Sequence, residues 1–166
     1  MVSSLLLPKV KGALDAYHVV HKELECNPDF ADTAAFCEHY GFTLQQSANT
    51  ILVASRKVEP TKYALCVVLG TTKLDVNKKV CEMLEVKRAS FADAETTKKI
   101  TGMMIGGVVA IGVPGIPVFV DNAVLQQPEV VMGGGNRTSK IVLAPKELLK
   151  LPNVTVINTL AKVAEI

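Results

Sequence analysis

The sequence has no marked excess of charge of either sign, with 18 Lys and Arg against 16 Asp and Glu in 166 residues. The field of the whole chain is too weak to attract a nucleic acid or an anionic membrane, so any polyanion site must be a local patch. Cysteine is sparse, and its four residues form no CxxC pair, which excludes a compact disulfide framework and favours reduced thiols. The N-terminus also lacks the pattern of a secretory signal peptide, and we expect a cytoplasmic protein.

Several catalytic and binding motifs are missing as well. The sequence contains no GxGxxG, no GxxxxGK[ST] and no GxSxG, which argues against dinucleotide binding, triphosphate binding and a serine hydrolase. His18, His21 and His39 do not have metal-ligand spacing on one helix face, so we predict neither a metal nor a cofactor. Cys37 and His39 are two residues apart on a predicted helix and therefore point in different directions, which disfavours a thiol nucleophile with its base.

One uncharged run, residues 103–120, is long enough to raise the question of a membrane span. Four glycines and two prolines interrupt it, whereas a lone membrane helix needs an unbroken hydrogen-bond ladder. The run therefore predicts a buried loop followed by a strand.

The remaining pattern mixes helices and strands irregularly. The helices are predicted over 4–18, 33–40, 74–84, 93–102 and a short segment from 145, and the strands over 19–25, 50–55, 62–69, 87–90, 116–120, 129–132 and 140–143. Asp32 is predicted to cap the second helix at its start, and Gly41 at its end. Because the order lacks strict βαβ alternation, residues 1–166 are expected to form a single α/β domain of the mixed α+β kind, with a largely antiparallel, curled sheet surrounded by helices.

Two glycine clusters are the strongest local signals for a site. The first is Gly106-Gly107-Val108, and the second is Gly133-Gly134-Gly135, followed by Asn136 and Arg137. Glycine lets backbone N–H groups approach a phosphate, a carboxylate or a carbonyl oxygen, and a guanidinium beside them suits an anionic oxygen. Tight turns are the alternative explanation for both clusters.

Read in order, several short motifs resemble the family of YbaK, ProX and prolyl-tRNA synthetase associated domains. They are Asp32-Thr33-Ala34, 47–53 (SANTILV), Lys73-Leu74-Asp75, 101–108, 116–121 and Gly134-Gly135-Asn136-Arg137. The resemblance implies hydrolysis, in trans, of the ester of a mischarged tRNA, typically tRNA for proline carrying a small wrong amino acid. The implied partners are the aminoacyl-tRNA 3′ end and a synthetase, with the protein a monomer or a homodimer.

The resemblance also implies a set of site residues. Gly106 and Asn49 occupy the catalytic positions, since the first glycine of the loop presents its backbone to the ester. The substrate-binding residues are Thr50, Gly107, Val108, Gly133, Gly134, Gly135, Arg137 and Lys140. Catalysis would rely on an ordered water or on the substrate's own groups, in agreement with the missing nucleophile and base.

This chain departs from the family at several positions. Asn49 stands where family members usually carry a lysine, and Val109-Ala110 replaces the serine and proline that follow the glycine loop. Lys140 or Arg137 could supply part of the lost charge. Two alternatives to a deacylase therefore remain: a non-catalytic module that binds tRNA ends, nucleotides or a synthetase, and a hydrolase of unrelated small esters.

Overall fold

Short helices and strands alternate irregularly in the computed structural model, which describes residues 4–163. The α-helices are α1 (Pro8–Ala16), α2 (Thr33–Tyr40), α3 (Cys81–Leu84), α4 (Ala94–Thr101) and α5 (Asn122–Leu125). The strands are β1 (Lys22–Glu25), β2 (Ala48–Ser55), β3 (Tyr63–Leu69), β4 (Thr72–Leu74), β5 (Ala89–Phe91), β6 (Val118–Asp121), β7 (Val130–Gly133), β8 (Ser139–Leu143), β9 (Val154–Ile157) and β10 (Ala161–Val163).

The strands form three sheets. The largest has the order β5-β2-β3-β6-β9, and the others are β1-β8-β7 and β10-β4. All pairs are antiparallel except β3 with β6 and β6 with β9, which are parallel. The predicted mixed and largely antiparallel α+β fold is confirmed, although its strands are divided among three sheets.

The five-stranded sheet is buried on both faces. Along β3, Leu65 and Val67 belong to one apolar cluster, whereas Cys66 and Val68 belong to another. Successive side chains of a strand point to opposite faces, so a continuous apolar run such as YALCVVL suits a central strand. Strand β2 lies next to β3, and its residues Asn49 and Thr50 are held in register with Val68 and Val67 of β3.

The uncharged run of residues 103–120 forms a loop that leads into a strand, and the loop is buried in part, since Met104 and Ile105 are half exposed. Met103, Val109 and Ile111 are fully buried, and β6 begins at Val118. In the described part of the chain, no helix is long and apolar enough to cross a membrane. The four cysteines are free, as their spacing predicted, and all four are buried.

Several boundaries differ from the prediction. The first helix is shorter than 4–18 because Pro8 starts it and the chain leaves it after Ala16. The helix predicted over 74–84 is divided into the end of β4, a π-helical turn capped by Asp75 and the single turn α3. Strands β9 and β10 were not predicted, because each is a short run whose pairing partner lies far away in the sequence.

A buried carboxylate ties the end of β6 to the segment before β10. Asp121 is 2% exposed, and its Oδ1 accepts a hydrogen bond from the backbone N–H of Leu160 over 3.2 Å. Burial raises the pKa of Asp121, and backbone hydrogen bonds oppose that rise. The Asp121 carboxylate therefore stabilises the fold mainly by accepting a hydrogen bond from the N–H of Leu160, which would otherwise be unpaired.

We expect Asp121→Ala to lower the free energy of unfolding by about 2 kcal/mol, because the buried N–H of Leu160 loses its partner. Asp121→Asn is the matched control, since it keeps an oxygen acceptor and removes the buried charge. Urea denaturation of the three proteins measures the difference. If Asp121→Ala and Asp121→Asn lower the free energy of unfolding equally, the carboxylate charge, rather than the acceptor oxygen, stabilises this junction.

Candidate functional site

A cavity of about 330 Å³ lies where the first residues of β2 meet α2, the loop after α4 and the ends of β7 and β8. Six of the residues singled out from the sequence line it: Asn49, Thr50, Gly106, Val108, Gly133 and Lys140. The other four singled-out residues, Gly107, Gly134, Gly135 and Arg137, lie outside its lining. Segments far apart in the sequence therefore converge on one cavity.

The loop of Gly106 and Val108, which both line this cavity, contains unpaired backbone donors. Gly106 has φ +93°, a left-handed conformation that glycine adopts without strain. Within residues 4–163, the backbone N–H groups of Gly106 and Val108 make no hydrogen bond, whereas Gly107 N–H donates to Met104 O over 2.9 Å. Two unpaired N–H groups two residues apart can stabilise negative charge on a carbonyl oxygen.

The second glycine cluster has a structural role at this junction. Gly135 N–H donates to Gly107 O over 2.7 Å, and a Cβ atom added to Gly133 would lie 2.5 Å from the same oxygen. A Cβ on Gly107 would lie 2.1 Å from Asn136 O, and one on Gly134 would lie 2.1 Å from Ser139 Oγ. These glycines allow neighbouring segments to approach each other closely, and Gly133 also lines the cavity.

Arg137 also connects loops. Its Nη2 donates to Pro28 O over 2.7 Å, and its Nη1 donates to Ile105 O over 2.7 Å and to Asp32 Oδ1 over 3.1 Å. The guanidinium thus fixes the residue before Gly106, and its charge is shared with a carboxylate. Asp32 is the N-cap residue of α2, as predicted, but its side chain makes no capping hydrogen bond and pairs with Arg137 instead.

Lys140 is the cation that reaches the cavity. It is 6% exposed, and its Nζ donates to Ala31 O over 2.6 Å and to Gly106 O over 2.8 Å. The same Nζ lies 5.2 Å from the centre of the Phe36 ring. Burial lowers the pKa of Lys140, while nearby Asp32 opposes that effect. The two carbonyl bonds and the aromatic face compensate in part for the desolvation of the ammonium group.

Asn49 and Thr50 form the opposite wall. Asn49 Oδ1 accepts a hydrogen bond from Thr33 Oγ1 over 2.8 Å, so its Nδ2 remains able to donate to a ligand. Thr50 Oγ1 is buried and has no hydrogen-bond partner among the described residues. Buried hydroxyl groups are nearly always paired, so this one, in a residue of the cavity lining, could donate to a ligand after a small movement of the side chain.

Sequence reasoning missed several residues of the lining. Thr33, Phe36 and Ile105 were not proposed as site residues, although they line the cavity together with Met132. In the sequence, only the Asp32-Thr33 motif indicated that α2 contributes to the site, because apolar periodicity does not show which residues of a helix border a cavity.

Comparisons with known proteins agree with this geometry. The model of the aminoacyl-tRNA editing domain family matches residues 27–151, which include every cavity-lining residue. A crystal structure described as that of a candidate trans-editing enzyme for prolyl tRNA synthetase is similar, with TM-score 0.75 and 26% sequence identity over 91% of this chain and 94% of that chain. The crystal structure of hypothetical protein APE2540 shows the same fold, with TM-score 0.81 and 22% identity over 93% of this chain and 99% of that chain. The chain belongs to the aminoacyl-tRNA editing domain family.

Proposed function

We propose that this protein is a trans-acting aminoacyl-tRNA deacylase, which hydrolyses the ester of a tRNA carrying a small wrong amino acid, with tRNA for proline as the first candidate. The observation behind the proposal is that residues of the cavity lining carry donors without a partner in residues 4–163. These donors are the N–H groups of Gly106 and Val108 and the hydroxyl of Thr50. A terminal adenosine and its aminoacyl ester carry the acceptor oxygens that such donors need.

The proposed reaction needs no protein nucleophile. The ester carbonyl oxygen accepts hydrogen bonds from the loop N–H groups, which stabilise the negative charge that develops as water attacks the carbonyl carbon. The bond from that carbon to the ribose oxygen then breaks, and a proton from the water passes through the substrate's own groups to the leaving oxygen. The products are the free amino acid and a tRNA with its terminal hydroxyl restored. Positioning of the water and the ester provides the rest of the rate enhancement.

The size of the cavity supports a small aminoacyl group. Its volume is about 330 Å³, and Phe36, Leu52, Val131 and Met132 contribute apolar wall. A cavity of that volume lies at the lower end of the range for small-molecule sites. We therefore expect alanine, serine or cysteine esters, rather than esters of large amino acids, to be hydrolysed.

The strongest alternative is a non-catalytic module that binds the tRNA end. It is motivated by Asn49, which replaces the lysine usual in the family and leaves this wall without a charge. Hydrolysis of an aminoacyl-tRNA by the wild-type protein would favour the deacylase, and binding of tRNA without hydrolysis would favour the binding module. A hydrolase of unrelated small esters would use the same donors, and it is distinguished by the failure of tRNA to compete for the cavity.

The test is deacylation of tRNA for proline charged with alanine, serine or cysteine, by wild type and by Thr50→Val. Valine has nearly the shape of threonine and removes only an unpaired buried hydroxyl, so we expect unfolding by urea to be unchanged or slightly harder. We expect kcat/KM to fall about tenfold, because a bond to the substrate is lost.

Two results would count against the proposal. Turnover of no member of the panel by wild type, with tRNA binding retained, would favour the binding module. Full activity in Thr50→Val would show that the substrate does not use this hydroxyl.

A further inference from the structure

A second concave surface lies outside the cavity, and three cations line it. This groove has a volume of about 770 Å³, and its lining includes Arg56, Lys73, Lys162 and the aromatic ring of Phe91. All three cationic residues are exposed, and none forms an ion pair with another described residue. Asp75 is the carboxylate of the lining, and its Oδ1 already accepts the backbone N–H of Lys78 over 3.2 Å. The groove therefore has a net positive charge in a chain that is nearly neutral as a whole.

Two of the cations are held next to each other by the fold. Lys73 on β4 and Lys162 on β10 are direct partners in the antiparallel register of the two-stranded sheet. Side chains of such partners have Cβ atoms about 5 Å apart, and like charges in that position destabilise the pair. An anion bound between the two ammonium groups would remove this repulsion.

The groove and the cavity lie on opposite faces of edge strand β5 of the five-stranded sheet, so a strand bound to both would pass over this edge. Phe91, in edge strand β5, lines the groove, and the next residue, Ala92, lines the cavity. Phe91 is 55% exposed, which is unusual for a phenylalanine and leaves a ring face available for stacking. Cations that follow a backbone, together with an exposed aromatic ring, are the features with which proteins bind single-stranded nucleic acid.

We infer that this groove binds the sugar–phosphate backbone of the unpaired 3′ segment of the tRNA whose terminal residue occupies the cavity. Arg56, Lys73 and Lys162 contact phosphates, and Phe91 stacks on a base. The inference rests on the proposed function for the identity of the RNA, but not for the existence of the groove. It explains how a nearly neutral chain holds a polyanion, because the contacts are concentrated in one local patch.

The test is equilibrium binding of uncharged tRNA, and of a short RNA ending in CCA, to wild type and to Lys73→Ala/Lys162→Ala at several salt concentrations. Each phosphate contact to a single strand contributes about 0.7 to the slope of log K against log salt. We therefore expect the slope to decrease in magnitude by about 1.4 in the double variant, with binding about tenfold weaker at low salt. Phe91→Ala should weaken binding of the short RNA about tenfold and leave the salt slope unchanged.

Lys22→Ala/Lys146→Ala is the matched control, because these exposed lysines lie on β1 and beyond β8, away from the groove. It removes the same net charge and should retain the wild-type slope. Equal slopes in wild type and in the groove variant would overturn the inference. So would binding of the groove to vesicles containing phosphatidylserine with no binding of RNA.

The failure of this inference can be separated from the failure of the proposed function. Hydrolysis of a minimal substrate, aminoacyl-adenosine, depends on the cavity alone and should be the same in wild type and in the groove variant. If that hydrolysis is absent from wild type while the salt slope still depends on Lys73 and Lys162, the groove binds RNA and the deacylase proposal is wrong. If the minimal substrate is hydrolysed and the slope does not change, the groove inference is wrong.

Discussion

Gly106→Ala is expected to lower kcat/KM for deacylation by about 100-fold, the effect of losing a backbone donor from a site that stabilises an oxyanion. The added Cβ atom would lie 2.2 Å from Nη1 of Arg137 and 2.9 Å from Oδ1 of Asp32. The φ of +93° also disfavours alanine. The Arg137 guanidinium, which donates to Ile105 O, must therefore shift, and the loop that carries the N–H groups of Gly106 and Val108 loses this contact. Single-turnover hydrolysis of Ala-tRNA for proline measures the loss.

Gly115→Ala is a matched control for the backbone strain. Gly115 has φ +84° in the same loop, but a Cβ atom there meets nothing within 4 Å. Both variants carry the cost of alanine in a left-handed conformation, about 1 kcal/mol, and only Gly106→Ala displaces Arg137 and Asp32. If the two variants lose activity equally, the cause is general destabilisation, and Gly106 has no special part in catalysis.

The central part of the fold could be predicted because its patterns are local. The runs of β2 and β3 are apolar and β-branched, and Gly41 ends its helix as predicted, in the left-handed conformation that Gly102 also adopts at the end of α4. The short strands β9 and β10 could not be predicted in this way. They are strands only because β6 and β4 offer them a partner, and a partner distant in the sequence leaves no periodic signal.

At the candidate site, the sequence likewise could not predict the roles of individual residues. The sequence indicated both glycine clusters, but it could not separate glycines that border the cavity from those that let two loops touch, such as Gly107 and Gly135. Similarly, Arg137 and Lys140 were equivalent candidates for a compensating cation. Their difference comes from tertiary contacts, since Arg137 lies outside the lining and donates to Pro28 O and Ile105 O, whereas Lys140 lies in the lining.

Lys140 therefore offers a physical explanation for the asparagine at position 49. Asn49 and Lys140 line the same cavity, and an ammonium group already held there by Ala31 O and Gly106 O supplies a positive charge to the site. A lysine at position 49 would add a second like charge in a cavity of about 330 Å³, where interactions between charges are only weakly screened. We propose that the site needs one cation near the ester or its neighbouring phosphate, and that a lysine at position 49 or at position 140 can supply it.

Lys140→Met is accordingly expected to lower kcat/KM by about 100-fold, because it removes the charge and releases the carbonyl of Gly106. Asn49→Lys added to that variant should restore at least about tenfold of the activity by returning a cation to the cavity. Asn49→Met in the same background, which fills similar space without charge, should restore nothing. If lysine and methionine at position 49 behave alike, the ammonium group of Lys140 only positions the loop, and the charge of the site has no part in hydrolysis.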